Sequence, residues 1–174
     1  MRTSRLGFRR WSAEDFPLAQ LLWGDAEVTR LIGGGKAFSS EKIKERLATE
    51  TANHAAHGVQ YWPIFQLADD EFVGCCGLRP FQPEVGVFEM GFHLRPIHWR
   101  KGYAEEAGRA AAAYAFETIG AVELFAGHHP ENLRSGRVLE KLGFRYAHHR
   151  LYEPTGLMHP AYSLSMEDFR ADGK

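Results

Sequence analysis

The chain has 174 residues, 44% of them hydrophobic and 13% aromatic, with a formal net charge of −1. That length suits one hydrophobic core, so one domain over residues 1–174 is expected, and the composition excludes disordered and fibrous classes. The charge balance lacks the basic surplus that binding a nucleic-acid backbone requires, so no nucleic-acid partner is expected.

The basic start, MRTSRLGFRRW, leads into no apolar run of signal-peptide length, and no stretch of about 18 apolar residues follows. A cytoplasmic location and no membrane partner are therefore expected, for a monomer or homodimer. Residues 5–11 read as a first strand. It is closed by Ser12, which suits a helix cap, and by Glu14 and Asp15, which suit a first helical turn; that helix runs to about Leu22 or Trp23. Gly33-Gly34-Gly35-Lys36 invites a phosphate-loop reading, but Ala37 stands where the motif needs Ser or Thr, and a loop bordering a substrate cleft is expected instead. A second helix runs from Ser40 to about His57, with Ile43 and Leu47 at helical spacing.

From Tyr61 the period changes. Residues 61–68, 72–80 and 87–94 form three strand-like runs, which predict an antiparallel meander. A helix follows over 103 to about 119, a strand over 122–128, a helix over about 132–142, and strands over 144–152 and 161–166. Helices, then a meander, then alternating elements predict an α/β or α+β domain with a mixed sheet of about seven strands. Cys75 and Cys76 are neighbours on a strand and point to opposite faces, so they form neither a disulfide framework nor a metal pair and are expected in the core. The nine histidines have no metal-ligand spacing; they are expected to be solvated, and no metal is expected.

The stretch HWRKGYAEEAG, residues 98–108, sets cations and a glycine before an alanine-rich helix. Amides of Lys101, Gly102, Tyr103 and Ala104 at the positive end of that helix would make an anion site, with Arg100 and Lys101 adding charge. An ordinary helix start with solvated cations reads equally well from this stretch alone.

Residues 99–107, WRKGYAEEA, resemble the pyrophosphate loop of the GNAT superfamily of acyl-CoA-dependent N-acyltransferases. The pattern is similar to that of the RimJ/RimL-like ribosomal-protein N-acetyltransferases, whose loop reads W-G-[KQR]-G-[YI]-A-[TS]-E-A. Asn132-Leu133-Arg134-Ser135 followed by Val138-Leu139-Glu140-Lys141-Leu142-Gly143-Phe144 resembles a second motif of that group, and the likeness runs from about residue 3 to residue 166. Arg100 stands where the group often has glycine, and Glu105 where it has Thr or Ser, which sets an acid beside the proposed phosphate site.

The resemblance implies a single GNAT domain: a central sheet whose middle strands splay apart, helices on both faces, and acetyl-CoA in the opening. Its pyrophosphate would meet amides from Arg100 to Ala104, and its pantetheine arm would pair with backbone near Phe92 and Leu94, as an added strand does. Asn132 would contact that arm, or serve as a plain helix cap. The implied reaction is direct attack of an amine on the thioester in a ternary complex. The acceptor would be a protein N-terminus or a small molecule, and no cysteine nucleophile is needed.

Strand alternation puts Glu89, Gly91 and His93 on one face, so Glu89 is the candidate base unless it is a solvated surface glutamate. The tyrosine that serves as acid in many GNAT enzymes is replaced by Leu139. Ser135, one turn from Asn132, is the candidate donor to the thiolate or a cofactor contact, with a surface serine as the plain alternative; His93 is a further candidate for proton transfer. A non-catalytic acyl-CoA-binding domain is the competing functional reading.

Overall fold

In the computed structural model, residues 1–32 and 35–172 are described. Seven strands form one sheet: β1 (Leu6–Phe8), β2 (Tyr61–Gln66), β3 (Phe72–Gln82), β4 (Val87–Leu94), β5 (Glu123–Gly127), β6 (Arg145–Tyr152) and β7 (Leu157–Ser165). Their order is β1-β2-β3-β4-β5-β7-β6, all neighbours antiparallel except β4 and β5. The helices are α1 (Phe16–Trp23), α2 (Ala26–Thr29), α3 (Ser40–His57), α4 (Tyr103–Ala113), α5 (Leu133–Lys141) and α6 (Met166–Asp172). This is the expected mixed α/β arrangement.

Helices cover both faces. On one, α1 and α3 bury Ala19, Trp23, Ile43 and Leu47 against Tyr61, Phe72 and Cys75; on the other, α4 and α5 pack Ala107, Ala111 and Leu139 against Cys76, Leu78 and Met90. Cys75 and Cys76 thus enter different cores, as alternation requires, and neither has any exposure. Burial pushes the Cys75 thiol up to about 12, so neither its position nor its chemistry suits a nucleophile.

Several boundaries differ from the sequence reading. β1 is shorter than residues 5–11 because the chain leaves the sheet to bury Trp11, whose amide donates to Gln60 Oε1 at 2.9 Å and whose Nε1 donates to the Tyr61 carbonyl at 2.6 Å. The helix from Tyr103 widens to π-helical winding over Tyr114–Ile119. The short α2 and the final α6 lack a long apolar period and were not foreseen. β7 begins at Leu157 rather than at residue 161, with Pro160 inside it. β5 pairing ends at Gly127 opposite Ala161, and the Pro160 carbonyl points to that side to accept from His128, so the missing Pro160 N–H breaks no ladder.

The start of α4 is fastened to the N-terminal segment by one carboxylate. Glu106 accepts from Thr3 Oγ1 at 2.5 Å, Ser4 Oγ at 3.1 Å, the Arg5 amide at 2.9 Å and Arg5 Nε at 2.6 Å. Burial works against its charge, but these donors, Thr3 foremost, hold its pKa below the ordinary value. Such a depressed carboxyl stabilises the fold fully above its unfolded pKa, and the contribution is lost as pH falls through the folded one. Glu106→Ala is expected to lower the unfolding free energy by about 2 kcal/mol in urea titrations at neutral pH, with a smaller difference at strongly acid pH.

Candidate active site

β4 and β5 pair in parallel from Val87↔Glu123 to Glu89↔Phe125, and pairing stops there. Beyond it β4 continues to Leu94 with β3 on one side and, among the described residues, no strand on the other. β5 ends at Gly127, and the chain crosses to α5, whose cap Asn132 accepts from the Ser135 amide at 3.3 Å. The wedge between them opens into a cleft of about 380 Å³. Glu89, Phe92, Asn132 and Ser135 all line it, as do His93 and Leu139. Leu94 and the segment from Arg100 to Ala104 lie outside this lining. Trp99, which directly precedes that segment, stands against α5, its ring 5.9 Å from the Arg134 guanidinium.

Alternation on β4 holds: Phe88, Met90 and Leu94 enter the core under α4, and Glu89, Gly91 and His93 face the α1/α3 side. Glu89 is half-buried, neither solvated nor closed off. Its Oε1 accepts from the Tyr61 hydroxyl at 3.4 Å. Tyr61 reaches it by lying across Gly91, where an added Cβ would stand 2.2 Å from the Tyr61 oxygen. Burial raises the Glu89 pKa, against the opposing pull of Arg79 and the Tyr61 hydroxyl.

The support beneath Tyr61 was not legible in the sequence. Glu50, on α3, has no exposure. It accepts from the Tyr61 amide at 2.7 Å and from Arg79 Nε at 3.0 Å, with a second, close contact from Arg79 Nη2. The Arg79 guanidinium lies 4.4 Å from the Tyr61 ring. These residues come from three separate elements, and the one local signal was Arg79 inside the apolar run of β3.

His93 is held in its neutral form, well below the ordinary histidine range, by burial and then by Arg46 and Arg79. Its Nδ1 accepts from Trp23 Nε1 at 3.3 Å, which leaves the ring proton on Nε2. The expectation of solvated histidines fails for His98, His128 and His159, all buried. His128 sits between α5 and β7, its Nδ1 on the His129 carbonyl at 2.8 Å and its Nε2 3.4 Å from the Tyr162 hydroxyl. It is buried because Gly136 leaves the space that the ring fills.

At the junction, Trp99 Nε1 donates to the Leu94 carbonyl at 2.8 Å and fixes the turn out of β4. Arg100 and Gly102 have φ of +63° and +79°. The left-handed backbone at Arg100 accounts for the glycine that the resembling loops carry there. A Cβ on Gly102 would meet only Arg5 Nη2 at 3.4 Å, so its backbone angle rather than crowding calls for glycine, and the space before it is open. Arg100, Lys101 and Gly102 are exposed. Tyr103 is buried with its hydroxyl on Gln66 Oε1 at 2.5 Å, which leaves only its amide for an anion. Glu105 is turned toward α5, 3.4 Å from Lys141 Nζ and 3.8 Å from Arg109 Nη2, so its charge is engaged away from the open space.

Gly35 and Lys36 are exposed, and Gly33 and Gly34 of the same loop lie outside the described residues. Among the described residues no cluster of His, Cys, Asp and Glu could hold a metal, and no helix is long and apolar enough to cross a membrane.

A parallel pair that splays, with a helix start beside it, is the arrangement that the sequence likeness implied, and the half-buried Glu89 inside the wedge lies on the face that strand alternation gave it. Residues 5–145 match the family model described as Acetyltransferase (GNAT) domain. The chain belongs to this family. Like its GNAT relatives, it is an N-acetyltransferase. YkkB of Bacillus subtilis (strain 168) is 34% identical to it over 128 residues, 73% of each chain. The N-acetyltransferase p20 of Bacillus licheniformis is 27% identical over 143 residues, 82% of this chain and 80% of p20. The solved structure of RimL, a ribosomal alpha-N-protein acetyltransferase in complex with coenzyme A, shares the fold: TM-score 0.80 over 95% of this chain and 97% of RimL, at 15% identity.

The junction geometry makes a direct prediction. Gly102→Val forces a β-branched residue to φ +79° and fills the open space, and is expected to raise the CoA dissociation constant, measured by calorimetry, at least about tenfold. Gly102→Asn, which tolerates that φ, is expected to fall between the two.

Proposed function

We propose that this GNAT protein moves an acetyl group from acetyl-CoA to a primary amine by direct attack within a ternary complex. The single observation that carries the reading is the raised Glu89 carboxyl under the Tyr61 hydroxyl, beside the last rung shared by β4 and β5. The residues present fit the co-substrate. The β4 edge past Glu89 has no strand partner, and the start of α4 offers amides and two exposed cations before open space. In this reading Arg100, Lys101 and the amides of Gly102, Tyr103 and Ala104 bind the diphosphate, and backbone at Phe92 and Leu94 takes the pantetheine arm. The Leu94 carbonyl already accepts from Trp99, so the arm depends on the remaining groups of that edge.

Acetyl-CoA supplies an acyl carbon activated by a thiol leaving group. Glu89 takes one proton from the amine, directly or through water, as the N–C bond forms. The C–S bond then breaks while the Ser135 hydroxyl, whose Oγ has no hydrogen-bond partner among the described residues, donates a hydrogen bond to the departing thiolate. The proton held by Glu89 passes through water to the sulfur, which leaves as the thiol and returns Glu89 to its carboxylate form. Asn132 holds the first turn of α5, and with it Ser135, at the cleft wall. His93 is a poor proton acceptor, because Nδ1 is already bonded and the charged ring is disfavoured. The acceptor class includes protein N-terminal α-amino groups, the substrate that the name of RimL states for that protein.

Glu89→Gln is expected to lower kcat by about 100-fold or more while CoA affinity stays within about twofold of the parent. Glu89 must be ionised to act, so kcat/KM should rise with pH through a pKa above the ordinary glutamate value. Tyr61→Phe removes a donor to the carboxylate and should shift that limb to higher pH. A pH-independent rate, or a limb that Glu89→Gln leaves in place, would remove Glu89 from this role.

A further inference from the structure

The acceptor side of the cleft holds a cation for which the transfer chemistry has no use. Arg46 lines the cleft beside Tyr61 and Arg79. Its guanidinium lies 4.9 Å from the Trp23 ring and 6.0 Å from the Phe38 ring, and its Nε is shielded from solvent with no hydrogen-bond partner among the described residues. Among the described residues no carboxylate comes within ion-pair distance of it. Glu50, one turn further along α3, is taken up by Arg79 and the Tyr61 amide. Glu89 accepts from Tyr61.

A guanidinium with its Nε shielded and unpaired, standing beside a second guanidinium, is electrostatically costly until an anion completes it. Burial, and next the charge of Arg79, pull the Arg46 pKa down. The two aromatic rings restrain the guanidinium, which readies its donor fork for a planar, two-oxygen anion. Arg46 is linked to Glu89 by an unbroken aromatic wall. Trp23 donates to His93, the His93 and Tyr61 ring centroids are 5.6 Å apart, and the Tyr61 hydroxyl reaches Glu89. Neutral His93 adds no charge between the two ends, and the Arg79 guanidinium over the Tyr61 ring is paired with Glu50.

We propose that Arg46 seats a carboxylate carried by the acceptor itself, so that the substrate is a primary amine bearing a carboxylate, with the amine directed to Glu89. The inference rests on the acetyl-transfer reading above. The carboxylate takes no part in bond making: the amine gives one proton to Glu89, the thiolate gains one, and the acid stays ionised on Arg46. Two sources share this chemistry, a free amino acid and a peptide with an acidic residue next to its N-terminus.

The test is an acceptor series with acetyl-CoA, read by mass spectrometry and thiol release. It compares free amino acids, their carboxamides and decarboxylated amines, and short peptides with Asp or Asn at the second position. The expected result is a kcat/KM for carboxylate acceptors roughly 10- to 100-fold above that of the matched amides, carried by KM. Arg46→Gln should abolish the preference and Arg46→Lys should retain part of it; the amino-acid and peptide arms tell the two sources apart. Calorimetry of N-acetyl amino acids and their amides against the CoA-bound protein gives a readout independent of turnover, and needs only the parent and Arg46→Lys should Arg46→Gln fail to fold.

Equal handling of acids and amides by the parent in both assays overturns the proposal, as does a preference that survives in Arg46→Gln. If CoA binds and amines are acetylated without that preference, the acetyl-transfer reading stands and only the carboxylate seat falls. If CoA does not bind, both fall.

Discussion

The β4 strand holds β3 along its length but β5 only from Val87 to Glu89. A sheet that parts in its middle leaves main-chain groups unpaired at the centre of the fold, where they are costly unless water or a ligand meets them. The other elements of the site keep this parting open and dress its walls. Trp99 ties the β4 end to the turn before α4, Asn132 starts α5 on the far side, and Glu89 stands at the last shared rung. The point at which two strands cease to pair therefore fixes the proposed thioester region, the proposed base and the proposed anion-binding turn relative to one another.

The backbone frame was largely legible from the sequence because its signals are local. Alternation defined β2 to β4, helical period and a serine cap defined α3 from Ser40 to His57, and the glycine before the alanine-rich run marked the start of α4. The faces of β4 followed from a period of two and hold in the fold. Where a boundary moved, tertiary pairing decided it. Trp11 left β1 to bond Gln60 and Tyr61, and Pro160 is tolerated within β7 because β5 ends one residue short of it.

What surrounds the reactive centre was not legible, because it is assembled across the sheet. Nothing local in the sequence joins Glu50 to Arg79 or Trp23 to His93, and no periodicity says that Gly91 is small so that the Tyr61 ring can cross it. Histidine burial is of the same kind. His128 is enclosed because Gly136 on α5 leaves it room and Tyr162 on β7 stacks beside it. The left-handed backbone at Arg100 is likewise a property of the folded turn, and it explains a glycine that this sequence lacks.

Arg46 and Glu50 are four residues apart on α3, and thus neighbours on one side of a single rod. One meets the cleft directly, and the other carries Tyr61 and Arg79. A rigid helix cannot shift one of these without the other, so any tilt or slide of α3 would alter the fit of the incoming molecule and the hydrogen bond on Glu89 in a single motion. With the roles proposed for Arg46 and Glu89, selectivity and proton affinity share one mechanical lever, and sequence drift along α3 would tune them as a pair.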